Sequence, residues 1–414
     1  MTFKKSLFFL TMTCVAAAAA VAAPGRQSET PVRPEGDELT VDDILPEDSV
    51  EADTVVIITP DSLAKLATEQ YSAFRLRKLN DEDKETLYPA ALELNRQTIE
   101  TLRLQTPGTL GYFRCKDILK QLNSDLFRGA FYYSNRNRQA ELKTFAREYL
   151  DTQMLDEMAD VPWNRDPEVF PTMCFIAVSD ANNTRDFEKA INYSKLYLST
   201  GETARRENVY RCLGAAALES KNYPVAIAFM QEAIKQYPVN EEFATIGIHA
   251  CIDGGHAQFL QTFLTHALAL RPNDIQLLIL QAKLYEDHLN YRGAIDVYNT
   301  IEQISPNMLN IAKHSGKCYY NMGVLAFNRA KNEQNEKDAK RERRQARNYF
   351  DAAVQKFRAV LETDPTAVKY LRGMGVCFLC LEDKSSFAEV NTRLSAMGED
   401  PLENVFMPAM MATG

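Results

Sequence analysis

The sequence is short of the residues that usually carry chemistry. It has one tryptophan and five histidines in 414 residues. The histidines (His249, His256, His266, His288 and His314) do not pair with one another or with a carboxylate at a metal-ligand spacing. The nearest approach to a metal set, His249, Cys251 and His256 around one helix–turn, reads more simply as packing. No glycine-rich phosphate loop, nucleophile elbow or His-Glu-x-x-His arrangement is present. Those absences exclude the best-marked nucleotide-binding, serine-hydrolase and zinc-peptidase classes, and the chain is expected to be non-catalytic, with no metal and no cofactor. Eight cysteines do not form a disulfide framework. Cys14 sits in an N-terminal apolar run. The other seven (Cys115, Cys174, Cys212, Cys251, Cys318, Cys377 and Cys380) lie mostly among apolar neighbours in helical patterns, as small buried hydrophobes do. Cys377-Phe-Leu-Cys380 is a lone CxxC inside a helix, without the second pair of a zinc knuckle. Excess positive charge is missing too: a net charge of −9 and a pI near 5.3 argue against nucleic acid and against anionic membrane surfaces.

Long apolar runs are also scarce. The run from Leu7 to Val21 follows Lys4 and Lys5 and ends in Ala20-Val21-Ala22, the pattern of a secretory signal peptide over residues 1–22. It is too short for a stable membrane span, and Thr11-Met12-Thr13 before Cys14 does not resemble a lipoprotein box. The expected location is therefore exported, in the periplasm or cell envelope of a Gram-negative bacterium. Residues 23–59 follow as an acidic linker. Between Pro24 and Thr54 there are ten acidic residues against two arginines, with little to bury, so disorder is expected. Asp48-Ser49-Val50, Asp53-Thr54-Val55 and Asp61-Ser62-Leu63 resemble a short bacterial O-glycosylation acceptor.

What the chain does have is a period. Pro238, Pro272 and Pro306 are 34 residues apart, twice running. Tyr210, Leu213, Gly214, Ala226 and Ala233 precede the first; Leu278, Ala282, Tyr285, Ala294 and Tyr298 precede the third at closely matching offsets. The unit starting at Glu241 is looser but keeps Ala267. Small residues let paired helices approach to about 8 Å, and proline ends each second helix. A 34-residue period with these residues resembles the tetratricopeptide repeat. The expected fold is all-α: an α-solenoid of stacked antiparallel helix pairs, a tetratricopeptide-like superhelix. Residues 60–169 read as helices with degenerate repeats, 170–398 as the array, and 399–414 as a tail to which no structure is assigned. A further unit is placed near Gly316, with insertion of residues 328–347, helix-forming and free of Pro and Gly. Shared between two helices, it would add about nine residues to each, roughly 13 Å, as one elongated helical hairpin. Lys337, Lys340, Arg341, Arg343 and Arg344 would make a basic spur on it, suited to an acidic surface.

The resemblance implies an interaction scaffold whose first helices line a groove for a protein or peptide partner. Its groove-facing offsets fall on Asn208, Arg211, Ala215 and Glu219; on Gln276, Ile279, Lys283 and Asp287; and on Lys317, Tyr320, Val324 and Asn328. The Lys/Asn/Arg clamp with which some members hold a C-terminal carboxylate is not reproduced. A glycan-binding envelope module, of the kind found among outer-membrane proteins with such repeats, is the alternative. It would want more tryptophan than Trp163 alone, which is expected to be a packing wedge.

Overall fold

The computed structural model describes residues 59–403, 410 and 411. The leader and all of the linker but Thr59 lie outside the described residues, as do two of the three Asp-[Ser/Thr]-aliphatic motifs. The third, Asp61-Ser62-Leu63, opens the first helix, where Thr59 caps it by accepting from the Ser62 N–H at 3.2 Å.

Among the described residues there are sixteen α-helices, a three-residue 3-10 turn (Asp156–Met158) and no strand. The first four helices are α1 (Pro60–Leu79), α2 (Lys84–Arg103), α3 (Leu110–Ser134) and α4 (Gln139–Gln153). α2 runs through Pro89, which lies in its second turn and does not mark its start. Shorter pairs follow: α5 (Val169–Asn183) with α6 (Phe187–Ser199), α7 (Arg206–Glu219) with α8 (Tyr223–Gln236), α9 (Glu241–Asp253) with α10 (Ala257–Leu270), and α11 (Ile275–Asp287) with α12 (Tyr291–Ile304). A long pair, α13 (Leu309–Asn332) and α14 (Glu336–Thr363), precedes a last short one, α15 (Val368–Leu381) and α16 (Lys384–Ala396). Each helix packs on the next, α7 also touches α5 and α9, and the 34-residue register gives α11 the equivalent place, so the odd-numbered helices from α5 to α11 line one side. One apolar core runs from Leu126 of α3 to Leu284 of α11. This is the expected array of tetratricopeptide-like helix pairs, built because no pair can bury its own apolar stripe.

The turn inside each pair is reused. Lys221, Gly255 and Leu289 recur every 34 residues with φ of +59°, +72° and +57°. The following N–H returns to the carbonyl five residues back: Asn222 to Ala217 at 2.7 Å, His256 to Cys251 and Asn290 to Tyr285 at 2.8 Å. That bond satisfies a carbonyl which a helix end would leave open. Between pairs the punctuation is proline. Pro238, Pro272, Pro306 and Pro365 each lie two residues beyond a helix end and three before the next start. By that rule the elongated unit begins at Leu309, and the start expected near Gly316 is corrected by seven residues.

In three of the pairs, α3 with α4, α9 with α10 and α13 with α14, a glycine lies under a ring where the helices cross. An added Cβ would come within 2.6 Å of Phe145 at Gly129, 2.3 Å of Phe263 at Gly247, 2.8 Å of Phe357 at Gly316 and 2.6 Å of Phe350 at Gly323. The last two belong to the long hairpin. There Gly316, Gly323 and Ala330 on α13, and Ala339, Ala346 and Ala353 on α14, recur every seven residues and are all buried. A seven-residue repeat of small apolar positions is the seam of a coiled coil. With 24 and 28 residues against 13 in α11 and 14 in α12, the helices extend the hairpin by about 16–21 Å, more than expected.

Two described residues of the tail, to which no structure is assigned from the sequence, are held in place. Leu402 and Met411 pack on the core that holds Phe350, Phe357, Leu371 and Cys377. Nearer the N-terminus, Asp180 of α5 is buried against Lys143 and Arg147 of α4, the latter at 2.6 Å. Burial pulls its pKa up, but the two cations outweigh that and hold it below the ordinary aspartate value. A depressed carboxylate stabilises the fold above its unfolded pKa of about 3.9, and that contribution is lost as pH falls through the folded value.

Two outcomes follow from these contacts. Gly247→Ala should cost about 1–3 kcal/mol by overpacking Phe263, read as a lower urea midpoint with helical circular dichroism retained; an unchanged midpoint would contradict the close crossing. Asp180→Asn should cost about 2 kcal/mol at neutral pH, with the difference from the parent chain shrinking between about pH 5 and pH 2. A loss independent of pH would remove the electrostatic account.

Candidate functional site

The shared face of the odd-numbered helices carries the side chains on which the resemblance places partner contacts. N-caps set its phase: Asn240 accepts from the Glu242 N–H at 2.9 Å, and Asp274 from those of Gln276 at 3.0 Å and Leu277 at 3.2 Å. With the starts so fixed, equivalent residues recur every 34 positions. One column is Asn208, Glu242, Gln276 and Asn310; a second is Arg211, Thr245, Ile279 and Lys313. A third is Ala215, His249, Lys283 and Lys317, and a fourth Glu219, Asp253, Asp287 and Asn321.

Asn208, Arg211, Glu219, Gln276 and Asp287 are exposed, and Lys283 is half-buried. Arg211 donates to Glu242 at 2.6 Å and to Asn208 at 3.1 Å, linking α7 to α9. Glu219 meets Arg185 at 3.3 Å. Burial holds His249 below the usual histidine value, which keeps it neutral at pH 7, and partial desolvation of the otherwise exposed Asp287, followed by the Glu286 charge, raises its carboxyl.

Two expected groove residues do not present themselves to a partner. Lys317 is only 5% exposed and Tyr320 3%. With the helix starting at Leu309 rather than near Gly316, both fall where α14 and α15 cover it. Lys317 lies beside Glu286 of α11 and Lys369 of α15; burial first, and Lys369 second, hold its ammonium below the ordinary lysine value. Tyr320 stands against the rings of Phe350 and Phe357, with centroids at 6.1 and 6.4 Å. Val324 is buried as well, and Asn328 is exposed on the hairpin extension. Beneath this face the buried Glu286 carboxylate accepts from the Tyr298 hydroxyl at 2.5 Å, with His314 Nδ1 at 3.2 Å.

The residue that the expected set omits is Asn321. It is fully buried, and its side-chain amide donates to the Met411 carbonyl at 3.0 Å while accepting from the Met411 N–H at 2.8 Å. It stands 34 residues after Asp287, so the period that named Asp287 also names Asn321.

On the long hairpin, Lys337, Lys340, Arg341, Arg343 and Arg344 are all exposed. Arg341 pairs with Asp338 at 3.1 Å, while the other four form no ion pair among the described residues. Trp163 is a half-buried wedge, edge-on to Tyr149 and Phe170. Among the described residues no group of three or more His, Cys, Asp or Glu could hold a metal ion, and no helix is long and apolar enough to cross a membrane. All seven described cysteines are free. Burial pushes the Cys251 thiol up to about 11 and Cys380 to about 12, and it raises Cys377 well above its usual value. That is the reverse of an activated thiol.

No family model matches this chain, and no curated protein matches its sequence. Among solved structures it is similar to MamA of MSR-1, at 17% identity over 47% of this chain and 99% of that one, with a TM-score of 0.31. It is similar to YrrB, described as a TPR protein with an unusual peptide-binding site, at 13% identity over 45% and 88%, with a TM-score of 0.30. A tetratricopeptide repeat protein from Parabacteroides merdae matches at 11% identity over 56% and 82%, with a TM-score of 0.31. At such scores these likenesses carry no further argument, and the fold stands on the helix pairs described above.

Thiol burial has a direct readout. In the native chain at about pH 8, Cys377 and Cys380 should react with iodoacetamide at least about a hundredfold more slowly than in urea, because the thiolate is the reacting species. Mass spectrometry of the labelled peptides checks this, and fast native labelling of either would reopen a chemical role for the CxxC.

Proposed function

We propose that the chain is a non-catalytic, exported scaffold that binds a protein or peptide partner along the odd-helix face between α7 and α11, in a Gram-negative cell envelope. The observation that carries the binding reading is the polar row Asn208, Arg211, Glu219, Gln276, Lys283 and Asp287. These side chains are exposed or half-buried, mixed in charge, and held on helices whose other sides are fused into one core. Side chains on so rigid a support meet a partner with little further loss of freedom. The net charge of −9 weighs against nucleic acid as the partner. Export rests on the apolar leader and its Ala-Val-Ala end. The basic spur is a second surface, for an acidic partner. A glycan platform finds no such support, since the single tryptophan is wedged between Tyr149 and Phe170.

The test is crosslinking and affinity capture from native envelopes with a tagged full-length chain. Arg211→Glu combined with Lys283→Glu should reduce recovery of the partner about tenfold or more, the scale of one lost charged contact. Thermal melting should confirm that the variant remains folded, and undiminished recovery would reject the face.

A further inference from the structure

The described parts of the tail are held by the same device twice. Asn321 of α13 clamps Met411, donating from its Nδ2 to the carbonyl (3.0 Å) and accepting at its Oδ1 from the N–H (2.8 Å). Asn391 of α16 clamps Leu402 identically, at 3.2 and 2.8 Å. One side-chain amide can engage the N–H and the C=O of a single residue only where both point the same way, which they do in extended backbone. Such a clamp reads main chain and ignores sequence. The side chains are read by glycines on α15. A Cβ on Gly373 would lie 2.4 Å from Met411 Cε, and one on Gly375 would lie 2.5 Å from Leu402 Cδ1. Each apolar side chain therefore occupies space that a glycine leaves open. Arg372, just before the first of these glycines, donates to the Asp400 carbonyl at 2.9 Å and to Glu399 at 3.1 Å.

We infer that the α13–α16 end of the array is a binding site for extended peptide bearing leucine- or methionine-like side chains, occupied in cis by the chain's own tail. The tail is thus a built-in competitor, and a partner segment of this chemistry enters as Met411 leaves. The inference deepens the scaffold reading and rests on it, but it uses residues separate from Arg211 and Lys283.

Two measurements on the full-length chain test it. Hydrogen exchange in the unmodified chain should show the Met411 amide protected at least about tenfold over the free-peptide rate, with the protection lost in Asn321→Ala, as expected for one to two net hydrogen bonds. Fluorescence anisotropy with a labelled synthetic peptide of residues 399–411 should show Met411→Glu, which evicts the tail, binding the peptide about tenfold or more tightly than the unmodified chain, with Asn321→Ala on top removing that gain. An unprotected Met411 amide in the unmodified chain overturns the proposal without any variant having to fold, and so does equal peptide affinity of the unmodified and Met411→Glu chains. Either result would leave partner capture through Arg211 and Lys283 untouched, so the two readings fail separately.

Discussion

The array depends on how closely two helix backbones approach where they cross. At Gly129, Gly247, Gly316 and Gly323 a phenylalanine ring from the second helix lies where a side chain would begin, leaving less than 3 Å for a Cβ. Removing the side chain from one helix lets a large ring fill the gap between both, which raises buried apolar area without a cavity. Each crossing then presents an apolar edge to the next pair, as in the continuous core from Leu126 to Leu284. The backbone turns serve the same end. Lys221 and Leu289 accept left-handed φ, at about 1 kcal/mol each, because the chain must reverse within a few residues for the crossing to form at all.

That contact also explains what the sequence revealed and what it hid. Helix pairs and their period were legible because proline two residues past a helix end is a strong, local signal, and Pro238, Pro272, Pro306 and Pro365 all obey it. The start of the elongated unit was not. Its glycine–ring contact occurs twice, Gly316 with Phe357 and Gly323 with Phe350. Seven residues are close to two helical turns, so a register set by Gly323 mimics one set by Gly316. The slip kept Lys317 on the right stripe but moved the rest of the expected set two turns along, onto the buried Tyr320 and Val324 and onto Asn328 of the hairpin extension. Exposure could not be read either. Lys317 looks like a surface lysine until Glu286 and Lys369 are seen beside it. The anchoring of Met411 was illegible for another reason: Asn321 and Met411 are 90 residues apart, and a bond between a side-chain amide and main chain leaves no mark on the sequence of the residue it holds.

Polar groups inside the array are arranged to specify position rather than to react. Asp180 draws Lys143 and Arg147 onto α5, Glu286 gathers Tyr298 and His314 between α11 and α13, and Asn123 donates to Gln153 at 2.6 Å between α3 and α4. Each joins neighbouring helices, where a sliding apolar seam would otherwise be free to shift register. A buried polar pair penalises the registers that would part it. The free cysteines behave as part of the apolar packing, with thiols raised by burial.

The two ends of the odd-helix face differ in a way that follows from this construction. Between α7 and α11 the recurring positions are short of apolar side chains and remain open to solvent. On α13 the third and fourth of these columns sink, with Lys317 beside Lys369 of α15 and Asn321 against Met411, while Asn310 stays exposed. A buried asparagine needs partners for both a donor and an acceptor, and on α13 those partners are the main chain of Met411 together with the Tyr291 hydroxyl. Without that segment, or another extended one, Asn321 Oδ1 would lose the N–H it accepts from and the side chain would keep only the Tyr291 hydroxyl, beside an apolar space at Gly373. The site is therefore constructed around an occupant, whereas the α7–α11 row is stable while open, and the difference lies in burial rather than in the kind of residue at the repeat position.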